Sequence, residues 1–331
     1  MSEAGPQLST SAFIADLSPD ERSVARFAAS LAGGIGGGLA AGLIAGLATV
    51  IVFAVTIGLV GHDIAGFPLR LQALLDPATP NLTSSLFLML LAVTTNGPLA
   101  LTFIVIAAVI VHRPLKSYVT AAPRLRWRLL VVAMALSAIV LGPLVAAEVF
   151  LDPHAAPAPI LSLAHDAPRR ITYALLSVLM LIPAAAAEEV VFRGWLLRQS
   201  AALTRNPVAL MAINGVLFSA VHLEFAPGAF LTRALMGAGF VYMTLRLGGI
   251  EFSTGAHAAN NIVIVLFLQP LTAHPAPSAG MNLGDMLQDG ILFTSYIVMA
   301  EVTARWAPLR RWSGADLAAP TPAIAAAAPF S

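Results

Sequence analysis

Two adjacent carboxylates and an arginine interrupt the otherwise apolar run Ala184-Ala185-Ala186-Ala187-Glu188-Glu189-Val190-Val191-Phe192-Arg193-Gly194-Trp195. On a helix Glu189 and Arg193 stand four apart and can pair, while Glu188 points about 100° away and keeps a free carboxylate beside the pair. Such a group suits a general base or acid. Two further ionisable residues lie in apolar surroundings, His222 and His257, and Asn261 follows His257 by four, on the same helical face. A carboxylate, two imidazoles and an amide are the parts that amide hydrolysis calls for: a group to take a proton from water, and donors aimed at the negative charge that develops. The bland reading is a structural ion cluster at a helix end. Ionisable groups inside a membrane segment are costly and rare unless they serve something, which favours function.

The elements that carry these residues are membrane helices. The chain has 331 residues, of which 58% are hydrophobic and 11% charged, and its mean hydropathy is +0.84. Apolar runs of about 20 residues are long enough to cross a hydrocarbon core of roughly 30 Å, and about eight such runs can be counted. The expected fold class is therefore all-α, a polytopic membrane protein with about eight transmembrane helices. A net charge of +1 without a basic stripe argues against a nucleic-acid partner. Cysteine is absent, which removes disulfides, thiolate metal sites and cysteine nucleophiles.

The expected spans are 32–60, 84–111, 128–150, 171–192 continuing toward 200, 207–225, 229–247, 252–271 and 286–304. Residues 1–26 read as a cytoplasmic tail in which Ser18-Pro19-Asp20-Glu21 has the form of a helix start running into the first span. Residues 27–165 hold the first three spans, 166–305 the five that carry the polar residues, and 306–331 an Ala/Pro-rich segment expected to be disordered from about Gly314. The first span has Gly34, Gly38, Gly42 and Gly46 at a strict interval of four, a ridge that admits a close neighbour. Asn96-Gly97-Pro98 near the middle of the second predicts a kink or a break. Arg113, Lys116, Arg124, Arg126 and Arg128 form the densest basic loop, and with both termini in the cytoplasm most of the 18 Lys+Arg fall on that side. Short, Ala/Gly-rich loops suit a bacterial inner (cell) membrane.

Depth gives a further test. Glu188 lies about 16 residues before the corner at Thr204-Arg205-Asn206-Pro207 and His222 about 16 after it, so at 1.5 Å per residue they stand level. His257 lies only a few residues into its span and by counting sits nearer the cytoplasmic edge than His222; either the hairpin of spans four and five protrudes or the boundaries shift. Phe218 precedes His222 by four and packs on its face, where a lone phenylalanine is more often core than functional.

Glu188-Glu189-x-x-x-Arg193, Phe218-x-x-x-His222 and His257-x-x-x-Asn261 resemble the three motifs of the CAAX prenyl protease and bacteriocin-processing (CPBP, or Abi) family of intramembrane proteases. The resemblance covers residues from about 170 to 270. It implies a peptidase in which Glu188 activates water with help from His222, His257 and Asn261 polarise the scissile carbonyl and hold the oxyanion, and Glu189 with Arg193 supports them. Asn260 beside Asn261 leaves the choice of amide open. The cofactor is not fixed: Glu188, His222 and His257 are a set that can bind Zn²⁺, and the same residues serve a metal-free glutamate mechanism. The partners implied are membrane lipid and a peptide or lipid-anchored protein substrate.

Rival protease signatures are weaker. Asp63, Asp76, Asp152, Asp166, Asp285 and Asp289 fall in loops or at span ends, which does not suit an aspartyl pair, and there is neither a His-Glu-x-x-His nor a Gly-x-Ser-x-Gly motif. The alternatives are a transporter or channel with a Glu/His proton or ion path, which does not require the three spacings, and a non-catalytic immunity or scaffold protein of the same family.

Overall fold

The computed structural model describes residues 8–61, 82–151, 158–161, 166–271, 281 and 283–318, with the single positions 66, 69 and 72. Among them the secondary structure is helical, apart from one isolated bridge between Thr120 and Gly249. The helices are α1 (Ala12–Ala15), α2 (Val24–Gly61), α3 (Leu82–Ile110), α4 (Trp127–Leu151), α5 (Ala167–Glu189), α6 (Leu197–Leu203), α7 (Pro207–Ala220), α8 (Pro227–Leu247), α9 (Glu251–Phe267), α10 (Leu283–Arg305) and α11 (Ala307–Ser313). A π-helical stretch, Val190–Leu196, joins α5 to α6 without a break.

Among the described residues five helices are long and apolar enough to cross a membrane: Val24–Thr56, Leu82–Ile110, Trp127–Ala147, Ala167–Leu203 and Pro227–Leu247. The chain is an all-α polytopic membrane protein. The segment expected as a fifth span over 207–225 differs, because α7 has 14 residues, about 21 Å of helix against a core of roughly 30 Å. Its neighbour is long instead. Ala167–Leu203 runs for 37 residues, about 55 Å, longer than a bilayer core of roughly 30 Å.

The glycine ridge of α2 faces α3. A Cβ on Gly34 would meet the Phe103 ring, on Gly38 the Leu99 carbonyl, on Gly42 the Thr95 carbonyl and on Gly46 the Thr95 hydroxyl. Small residues there let the two backbones approach, as in membrane helix pairs generally. Pro98 lies inside α3, which continues through it as one helix. In the second half, α9 is central and packs on α4, α5 and α8. Its residues Glu251–Ala259 are all buried.

The described part of the N-terminal segment is packed. Ser18 and Glu21 form the reciprocal cap the sequence suggests: the Ser18 amide donates to Glu21 Oε2 (2.8 Å) and the Glu21 amide to Ser18 Oγ (3.3 Å). The helix does not run on into α2, because Ser23 is extended and ends a single turn. Phe13 and Ile14 are buried with Leu197, Leu210, Val241 and Leu245. Arg198 clamps the segment by donating to Glu21 Oε1 (2.7 Å), Asp16 Oδ1 (3.1 Å) and the Phe13 carbonyl. At the other terminus Ala315–Ala318 form a 3-10 turn with Ala318 buried against Gly248. Most of the stretch expected to be disordered, 319–331, lies outside the described residues, as do Asp63, Asp76 and Asp152.

Candidate active site

Asp166 caps α5 by accepting from the Arg169 amide at 2.9 Å. From there the helix carries Glu188 and Glu189 to the middle of the bundle, where α-helical hydrogen bonding gives way to π-helical bonding over Val190–Leu196. Such bulges occur often at functional sites. Glu189 and Arg193 are both fully buried and pair at 3.0 Å, as their spacing predicts. The guanidinium also donates to the Gly237 carbonyl (3.3 Å) and lies 4.3 Å from the Phe218 ring centroid and 5.1 Å from that of Phe240. A cation this far from water is held by its carboxylate and by ring faces, each of which offsets part of its desolvation.

The same Glu189 oxygen has a second partner. Oε1 lies 3.0 Å from His257 Nδ1, and His257 Nε2 lies 3.7 Å from Glu188 Oε2. One imidazole therefore stands between the two adjacent carboxylates. The carboxylates differ in setting: Glu189 is dry, whereas the Glu188 side chain is 28% exposed.

His222 is not within a span. It follows the end of α7, in a turn where Leu223 takes φ +55°, and it is exposed. Its Nδ1 donates to the Phe218 carbonyl at 2.8 Å, which turns Nε2 outward as an acceptor. Phe218 itself is fully buried, with its ring edge-on to His222 (4.9 Å) and to His257 (5.9 Å). The bland and functional readings of this phenylalanine thus coincide, since it is core and it sets two imidazoles.

A cavity of about 620 Å³ is lined by Glu188, Phe218, His222, His257, Asn260 and Asn261. The three sequence motifs, from α5, the end of α7 and α9, meet on one space. Glu188 and His222 face it without touching, since no hydrogen bond or ion pair joins them. Asn260 Nδ2 donates to Asn261 Oδ1 (3.4 Å), and both amides line the cavity.

Glu188, His222 and His257 do not fit together as metal ligands. Among the described residues no group of three or more His, Asp or Glu converges in that way. In each ring it is Nδ1 that is engaged, His257 by Glu189 and His222 by Phe218, which leaves both Nε2 atoms outside those bonds.

Sequence reasoning missed two residues that surround the site. Phe240, 5.3 Å from the His257 ring, is one more phenylalanine in an apolar span and carries no sequence signal. Asp289, assigned to a span end, is buried on the cavity wall with Oδ2 accepting from Thr232 Oγ1 at 2.9 Å. The four-residue step from Asp285 to Asp289, both lining the cavity from α10, is the signal that could have found it.

Residues 170–263 match the Rce1-like family, described as type II CAAX prenyl endopeptidases. That segment is similar to the CPBP family, to which the Rce1-like proteins belong. The matched segment contains the Glu-Glu-x-x-x-Arg, Phe-x-x-x-His and His-x-x-x-Asn residues. An uncharacterized protein of Bacillus subtilis (strain 168), YyaK, is 39% identical over 106 residues, 30% of this chain and 36% of YyaK. The similarity thus spans about a third of that relative. No solved structure matches. A segment similar to that family lies among long apolar helices, in an integral membrane protein.

Proposed function

We propose that the protein is an intramembrane endopeptidase that hydrolyses a peptide bond of a membrane-associated substrate with water activated by Glu188. The observation that carries this reading is the meeting of Glu188, His222, His257 and Asn261 on one cavity. Water held between the Glu188 carboxylate and His222 Nε2 gives a proton to Glu188 as its oxygen attacks the scissile carbonyl carbon. The carbonyl oxygen takes the electron pair and is met by Asn261 Nδ2–H and His257 Nε2–H. Collapse of the tetrahedral intermediate breaks the C–N bond, and the proton on Glu188 passes to the leaving amine. For His257 to donate from Nε2 while its Nδ1–H is given to Glu189, both ring nitrogens must carry hydrogen in this step.

Glu189 and Arg193 act through His257. Buried as a pair, they fix the ring's direction without touching substrate, which makes them positioning residues. The partly exposed cavity supplies what the chemistry needs, a source of water inside an apolar bundle. The site is expected to take a peptide or lipid-anchored protein from the membrane, with the chain in the bacterial inner membrane and its termini in the cytoplasm.

The test is cleavage of a membrane-tethered peptide library by the full chain in lipid, comparing wild type with Glu188→Gln and His222→Ala. Loss of the general base should lower the rate by about 10²–10⁴ with substrate binding retained. Equal activity in all three proteins would refute the assignment. If no peptide is cut by the wild type while Glu188→Gln abolishes proton flux in liposomes, the transporter reading takes its place.

A further inference from the structure

A second cavity, of about 420 Å³, lies away from the first and shares none of its lining residues. It is formed where the loop entering α4 meets α11, and it is lined by Arg124, Leu125, Arg126, Trp127, Arg128, Arg311, Trp312 and Asp316, among others. We propose that this cavity binds the phosphate-bearing headgroup of an anionic phospholipid.

Charge is the first reason. Arg126 is spent: it is buried and holds Glu251 by two bonds, Nε to Oε1 (2.9 Å) and Nη2 to Oε2 (2.7 Å), with Nη1 on the Leu247 carbonyl. That clamp ties the loop to the start of α9 and builds a fixed wall. Arg124, Arg128 and Arg311 remain exposed around it, with Asp316 as the carboxylate among the lining residues. Three guanidiniums gathered about one concavity repel one another unless an anion joins them, and the guanidinium fork matches phosphate oxygens.

Aromatic placement is the second. Trp127 and Trp312 are 60% and 51% exposed, and Leu125 beside them is 60% exposed. The Arg128 guanidinium lies 5.5 Å from the Trp127 ring and 5.7 Å from the Trp312 ring, so the two indoles bracket one cation. Trp127 is also the first residue of an apolar membrane-crossing helix, Trp127–Ala147. Indoles at the end of a span sit at headgroup level. A soluble phosphate has no use for them, whereas a phospholipid places its phosphate against the arginines and its glycerol and upper acyl chains along the indoles and Leu125.

The test uses the detergent-purified full chain, titrated with short-chain phosphatidylglycerol, with phosphatidylcholine of the same chain length and with inorganic phosphate, followed by tryptophan fluorescence and by lipid adducts in native mass spectra. Phosphatidylglycerol should bind more tightly than phosphatidylcholine and inorganic phosphate, and its affinity should fall as salt is raised. Arg124→Gln, Arg128→Gln and Arg311→Gln should each weaken it about fivefold, whereas Arg169→Gln, at the start of α5, should leave it unchanged. The salt series on the wild type keeps the test valid should a variant fold poorly. Equal affinity for the two lipids, no effect of salt, or no effect of the three substitutions would overturn the proposal. Inorganic phosphate binding as tightly as phosphatidylglycerol would overturn it too, marking an adventitious ion only.

Discussion

His257 bridges two neighbouring glutamates, with Nδ1 3.0 Å from Glu189 Oε1 and Nε2 3.7 Å from Glu188 Oε2. Consecutive residues on a helix diverge by about 100°, so both can reach one ring only because that ring is edge-on between their two directions. The arrangement divides the labour of two identical side chains by burial, and it makes the outcomes of changing them differ.

Glu189→Ala should be mainly a folding defect. It removes the carboxylate partner of the fully buried Arg193 and the acceptor of His257, and an uncompensated buried charge costs about 3–5 kcal/mol. Glu188→Gln, on a partly exposed side chain, should melt within about 0.5 kcal/mol of wild type. Thermal unfolding in detergent reads both, and the opposite order would mean that the two roles are reversed.

The adjacent asparagines should separate by rate. Asn261 shares the helical face of His257, so Asn261→Ala should lower the turnover of a cleaved peptide by about 10²–10³ as an oxyanion donor is lost. Asn260→Ala should change turnover less than tenfold. Measuring kcat and KM for each decides the matter, and a larger kcat loss at Asn260 would transfer the role to it.

Gly194→Ala should destabilise the protein without entering the cavity. A Cβ there would overlap the Tyr118 carbonyl oxygen, and overpacking of this kind costs about 1–3 kcal/mol. Gly36→Ala, on the same test of space, meets nothing. A melting curve that is unchanged for Gly194→Ala would show that the contact between the π-helical stretch and the α3–α4 loop is looser than described.

Acid should release the N-terminal segment. Burial raises the Asp16 carboxyl, but the Arg198 guanidinium and then Arg113 outweigh it and hold its pKa below 3.8. A carboxyl lowered on folding adds stability above its unfolded pKa, and that gain is lost as pH falls through the folded value. Docking should therefore persist from neutral down to about pH 4 and weaken below it. Hydrogen exchange at residues 12–15 should accelerate there. In Asp16→Asn it should be raised already at neutral pH and respond less to acid.

Much of this was legible in the sequence where one side chain constrains another at helical spacing. The Glu189–Arg193 pair, the glycine ridge of α2 and the Ser18–Glu21 cap all follow from local steps of three or four. Which side chains meet across the bundle was legible only as a set. Phe218, His222 and His257 were known by their motifs, yet that His257 would turn to Glu189 as well as Glu188 depends on helix rotation, which spacing does not encode. The early end of α7 was hidden because Val221, Leu223 and Phe225 continue the apolar run past it, although they are exposed. Hydropathy counts side chains and not the backbone turn at which Leu223 takes a positive φ.

The seven π-helical residues between α5 and α6 set a phase between the two ends of the molecule. On one side of them Arg198 is locked to the N-terminal segment, and on the other Glu188 lines the cavity with Glu189 buried beside it. Rewinding the same seven residues as plain α-helix would turn one half by about one residue's step, roughly 100°, against the other. With Arg198 anchored, the half that turns is the one bearing the carboxylates. A frame of helices built this way keeps its two glutamates aimed inward by the winding of one short stretch, so a change that converts Val190–Leu196 to α-helix at full length should be tolerated far less than the exchange of one apolar side chain for another.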